Sequence, residues 1–212
     1  MILLVPLLAA ALSTGPQPSA SAVLHRMAAA NAWVKTYKVR IHFDAKVHSF
    51  ISLPLALDAT LYYKQPDKMQ IVFDSVPSLA KQFQNFYANT GTPQTWPHTY
   101  VVTLEPPAAS DASSAGSDVV LRLTPRASSN LEYALMTVDT TTYGVVIQQW
   151  FYKDGSNINV TQLNDTGPRY VLPSRQEGDF DFPKYHAHVV AAYDAYDFNV
   201  PIPDSVFKPQ QQ

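Results

Sequence analysis

Cysteine is absent from the 212-residue chain, which excludes disulfide staples and a lipid-modified cysteine behind an export signal. Stability must therefore come from a packed core. An excess of charge of either sign is also missing: 15 Lys and Arg stand against 17 Asp and Glu, a formal net charge of −2. That balance leaves no electrostatic footprint for nucleic acid or for an anionic membrane surface, and neither is expected as a partner. Only seven glycines occur. None sits in a phosphate-cradling loop, and no Gly-x-Ser-x-Gly turn presents a serine nucleophile. No run reaches the roughly 20 apolar residues of a membrane-spanning helix. From these absences no cofactor and no catalytic residue is expected.

What is present begins with an apolar run from Ile2 to Leu12, then a polar stretch containing prolines, then Ala20-Ser21-Ala22, a small-x-small triplet. No Lys or Arg precedes the run. This is the layout of a secretory signal peptide over residues 1–22, so a periplasmic or secreted protein is expected, with one domain over residues 23–212. A domain of that size buries about 70% of the surface its unfolded chain exposes.

Along that domain, Leu24, Met27, Ala28 and Val34 fall at helical spacing and predict an amphipathic helix over residues 21–35, capped by Ser21 or a neighbour. Tyr37, Val39, Ile41 and Phe43 alternate with Lys38, Arg40, His42 and Asp44, a strand with one buried face. A loop is expected over 48–54. Residues 55–63 and 68–73 then flank Gln65-Pro66-Asp67 and form a hairpin, because Pro sets the turn and Asp bonds the backbone that follows. Leu79, Phe83, Phe86 and Tyr87 make an aromatic helical stripe. Strands follow over 98–105, 119–124, 131–139, 145–153, 157–163, 170–182 and 185–198. Asp154-Gly155 is read as a type I′ hairpin turn. The stretch Pro107 to Ser117 is a low-complexity loop, and no internal repeat is found.

A helix, three strands, a second helix and a long meander define a mainly β, α+β fold. Two helices cannot cover about ten strands unless the sheet curls, so the expectation is a curved antiparallel sheet forming an open, incomplete β-barrel, with helices over the concave apolar face. Barrels of this size with an unfilled interior hold small apolar ligands.

Particular strings carry a resemblance. Lys64-Gln65-Pro66-Asp67 closes one strand, and Leu123-Thr124-Pro125-Arg126 closes another before a small-residue turn, Ala127-Ser128-Ser129. The strand ending at Phe198 runs into Pro201-Ile202-Pro203 and a late apolar anchor, Val206-Phe207. With the order of elements, the chain resembles the LolA/LolB-type family of periplasmic lipoprotein carriers as a divergent member. The resemblance implies a monomeric, non-enzymatic carrier that shelters lipoprotein acyl chains or lipids and trades them with membrane-bound donor and acceptor proteins. The cavity lining would then come from Val39, Ile41, Phe43, Leu61, Tyr63, Met69, Ile71, Phe73, Leu79, Phe83, Phe86, Val119, Leu121, Leu123, Leu135 and Trp150. The basic residue that the family carries before the proline, and that influences barrel opening and release, is Gln65 here.

Two other readings stand beside the carrier. An envelope stress sensor could use the same cavity and act through a protein partner. A metal-dependent enzyme could be built on His186 and His188, which share one strand face, near Glu177, Asp179 and Asp181. The alternation of Tyr185, Ala187, Val189 and Ala191 against those histidines favours a solvated polar face instead.

Overall fold

The computed structural model describes residues 18–49, 52–75, 91–105 and 118–208. Helix α1 (Ala20–Ala30) starts at Ser19, whose hydroxyl accepts from the Ala22 amide, and buries Val23, Leu24 and Met27. It is shorter than the spacing predicts, because residues 31–33 turn away before Val34 packs elsewhere. The predicted aromatic helix of Leu79, Phe83, Phe86 and Tyr87 lies outside the described residues.

The strands are β1 (Thr36–His48), β2 (Ser52–Lys64), β3 (Lys68–Phe73), β4 (Tyr100–Leu104), β5 (Asp118–Pro125), β6 (Leu131–Asp139), β7 (Val145–Tyr152), β8 (Asn157–Gly167), β9 (Tyr170–Phe182), β10 (Tyr185–Tyr193) and β11 (Asp197–Phe198). They form one antiparallel sheet in the order β3-β2-β1-β10-β9-β8-β7-β6-β5-β4. The ends, β3 and β4, are not paired with each other, so the curved sheet is an open barrel. β1 is its hinge line: β2 pairs along all of it, while β10 and then β11 share its other edge.

Several expectations are corrected in detail. The loop predicted at 48–54 is mostly strand; Pro54 pairs with Lys46, and no described strand flanks it on the far side, which is where a residue without an N–H is tolerated. The predicted strand 98–105 begins as a four-residue helix, α2 (Trp96–Thr99), with proline in its first turn. At Asp154-Gly155 only the glycine has a positive φ, +84°, whereas type I′ needs two such residues. The Gly155 amide donates to the Tyr152 carbonyl and the Tyr152 amide to Ser156, so the hairpin turns through three residues, with Gly155 in the left-handed place. The predicted strand 185–198 breaks after Tyr193, and the chain steps out before returning as β11.

Alternation builds two apolar clusters on the concave side. The first joins α1, Trp96 and Tyr100 to Leu121, Leu123, Ala134, Met136, Val138, Trp150, Ile158, Val160 and Phe180. The second joins Val34, Tyr37, Val39, Ile41 and Phe43 to Leu61, Tyr63, Ile71, Phe73, Leu172 and Ala191. Fully burying one such aliphatic side chain contributes about 1.5–3 kcal/mol, so these rows hold the sheet in its curl.

Candidate ligand cavity

Between the two clusters lies a cavity of about 210 Å³. Val34, Tyr37, Leu61, Tyr63 and Met69 border it from the β1–β3 side; Met27, Trp96, Met136, Trp150, Val160 and Phe180 border it from the other. It is the seam where two halves of one concave surface fail to meet. No Asp, Glu, Lys, Arg or His is among the described residues that border it.

Four of the residues named for the lining therefore sit on the cavity: Leu61, Tyr63, Met69 and Trp150. Val39, Ile41, Phe43, Ile71 and Phe73 share their inward rows and are buried in the second cluster. Leu121 and Leu123 are wholly buried in the first, and Val119 packs half-buried against it. Leu79, Phe83 and Phe86 lie outside the described residues. Leu135 faces the other way, across from Arg122 and Gln149, while Ala134, Met136 and Val138 are buried. The reason is a register shift between Leu131 and Tyr133, which moves the inward phase of β6 by one residue.

The cavity also has a polar wall. Gln148 on β7 donates from Nε2 to Gln162 Oε1 on β8 at 3.0 Å, and Gln176 on β9 donates to the same oxygen at 2.7 Å. The Gln162 amide donates onward to the Val145 carbonyl and to Asn164 Oδ1, which satisfies both ends of that side chain. Tyr193 on β10 donates its hydroxyl to Gln176 Oε1 at 2.6 Å. Gln176 is 7% exposed, and such a side chain is tolerated in a core only because it is bonded. The result is a ladder across four strands at cavity depth. A signal for it exists in the sequence: the three glutamines recur 14 residues apart, one strand-and-turn period of the meander.

Two contacts fasten the cover. Asn31, just past α1, accepts from the Val171 amide at 2.8 Å and donates to the Val171 carbonyl at 3.1 Å, imitating a neighbouring strand on β9. Thr92, which is buried, donates to the Pro66 carbonyl at 2.9 Å and so ties the segment before α2 to the β2–β3 turn. In that turn Gln65 Oε1 accepts from the Lys35 ammonium at 3.3 Å, so a cation reaches position 65, whose own side chain is neutral. Burial, followed by the nearby Asp67 charge, pushes the Tyr63 phenol up to about 12. Burial, then Tyr63, raises Tyr37 further still, so both rings stay neutral at physiological pH.

The histidines lie on the opposite, convex face. His186 bonds to Asp181, and His188 lies 2.8 Å from Asp179 and 3.5 Å from Glu177. Among the described residues no group of three or more His, Cys, Asp or Glu is arranged to hold a metal ion. No described helix is long and apolar enough to cross a membrane.

Comparison with solved structures identifies the fold. A DUF1329 family protein from Desulfovibrio piger superposes with a TM-score of 0.64 at 10% identity, covering 90% of this chain and 97% of that one. A LolA superfamily protein from Nitrosomonas europaea gives 0.60 at 12% identity, over 92% and 100%. The domain of a putative outer membrane lipoprotein-sorting protein from Vibrio parahaemolyticus gives 0.62 at 9%, over 87% and 94%. No protein-family model and no curated protein matches the sequence. The chain has the LolA-like fold, reached with a very different sequence.

Proposed function

We propose that the protein is a non-enzymatic, monomeric carrier, periplasmic or secreted, which takes lipoprotein acyl chains or lipids into the seam cavity and passes them between membrane-bound donor and acceptor proteins. The observation that carries this reading is a cavity between two apolar clusters with no charged side chain among its described lining residues, in a fold shared with a domain of a putative lipoprotein-sorting protein. Each buried CH₂ contributes about 0.8 kcal/mol, so a chain of ~16 carbons gains roughly 10 kcal/mol before ordering costs. No bond need be made or broken.

At about 210 Å³ the cavity is smaller than the roughly 300–1,000 Å³ of pockets that enclose drug-sized ligands. Long chains therefore enter by widening the seam, and the Asn31 and Thr92 contacts are the bonds that must yield. In this reading residues 1–22 are removed on export. The mature chain then begins at the wholly buried Val23, and the Ser19 cap leaves with the signal.

Native mass spectrometry of the protein purified from an envelope fraction tests the proposal. Acyl or lipid adducts on a chain beginning near Val23 are expected. A lipid-free protein that also fails to take up an apolar fluorescent probe would overturn the carrier reading.

A further inference from the structure

We propose that the cavity selects an uncharged acyl compound whose ester or amide group bonds to the polar ladder at Gln148, and that it rejects the same chain ending in an ionised group. The inference rests on the carrier reading and specifies the chemistry of its cargo.

Three observations carry it. First, the described bordering residues include no Asp, Glu, Lys, Arg or His: among them a carboxylate or ammonium brought to this depth would be desolvated without a counter-ion, which costs far more than burying a bonded neutral group. Second, an interior meant only for hydrocarbon has no use for four polar side chains in a row, since apolar residues of the same shape would serve at least as well. Third, the ladder is complete along its length and open at one end. Gln162 uses both its oxygen and its amide, and Gln176 stands between Gln162 and Tyr193. Gln148 donates one N–H to Gln162, but its Oε1 has no partner among the described residues. A carbonyl next to an acyl chain can accept the second Gln148 N–H, and an amide N–H or glyceryl hydroxyl can donate to Oε1. Met136, opposite Gln148 on β6, and Trp150, two residues along β7, then lie where the alkyl chain would run.

The test loads the full-length protein with diphenylhexatriene and displaces it with four compounds of equal chain length: palmitamide, 1-monopalmitoylglycerol, hexadecane, and palmitate at about pH 9, where it is ionised. The amide and the glyceride are expected to displace the dye at about tenfold lower concentration than palmitate or hexadecane. In Gln148→Leu that advantage is expected to shrink by roughly 2- to 10-fold, the loss of one hydrogen bond, while hexadecane is unaffected. Equal displacement by all four overturns the inference and leaves the carrier reading standing. No uptake of the dye at all removes the carrier reading itself. If Gln148→Leu does not fold, the four-compound series on the unaltered protein decides alone.

Discussion

The two faces of β1 differ by a single residue step and share almost nothing else. Inward, Tyr37, Val39, Ile41, Phe43, Ala45 and Val47 are all buried; outward, Lys38, Arg40, His42, Asp44, Lys46 and His48 are all exposed. The outer row is part of a chain of charges that crosses strands: Arg40 lies 2.6 Å from Asp74 and 3.6 Å from Asp58, and His42 lies 2.6 Å from Asp58 and 3.3 Å from Asp194. Every one of these groups is 44–53% exposed. Water screens such pairs, so they contribute solubility and only a small part of the stability. Most of the stability lies inside, where none of the described buried residues is charged.

The contrast breaks most severely if a charge is moved inward. Ile41 is 0% exposed, and Ile41→Asp is expected to leave no cooperative unfolding transition by circular dichroism, whereas Ile41→Ala should fold but lose about 2–5 kcal/mol in a denaturant melt. A folded, stable aspartate variant would mean that the interior admits water at this depth.

A smaller effect is expected at the border between the faces. Asn31→Ala removes both bonds to the Val171 backbone, at a cost of about 1–2 kcal/mol, and should speed dye uptake in stopped-flow fluorescence. Lower stability with an unchanged uptake rate would show that the cavity opens elsewhere.

The smallest effect is on the convex face. The hydrogen bond to Asp58 and then that to Asp194, with their charges, raise the His42 imidazole above its ordinary value. A group raised in the folded state contributes stability that is fully present below the unfolded value, about pH 6.5, and is lost as pH climbs through the folded one. His42→Gln should therefore lower the melting temperature slightly at about pH 5 and leave it unchanged at about pH 9. The opposite pattern would show that neutral His42 is the form the fold prefers.

Much of the fold was legible because β1 carries its burial pattern openly, and the open barrel follows from counting strands against helices. What was hidden depends on partners that are distant in the chain. Pro54 reads as a loop residue until one knows that its outer edge has no described neighbour. Leu135 reads as inward until the register shift before Tyr133 reverses the phase. Trp96 and Pro97 form one helical turn too short to leave a periodic signal. In the site, Leu61, Tyr63, Met69 and Trp150 were readable as apolar residues on strands, but the glutamines were not. A glutamine on a strand normally faces water, and Gln148, Gln162 and Gln176 are recognisable as a set only once β7, β8 and β9 stand side by side.

β1 has one further consequence, for the order of events in folding. Its first neighbour, β2, is a few residues away, but its second arrives only with the end of the chain: Ile41 pairs with Tyr193, about 150 residues later, and Tyr37 with Phe198. Loop closure over that span must precede any reward from the contact, and topologies dominated by such contacts fold slowly. The second apolar cluster draws Leu172 and Ala191 onto β1, so it cannot be completed while residues 170–198 are still being made. The β1 edge that β10 and β11 come to occupy therefore stays open, with its N–H and C=O groups unpaired, until residues 185–198 have been made.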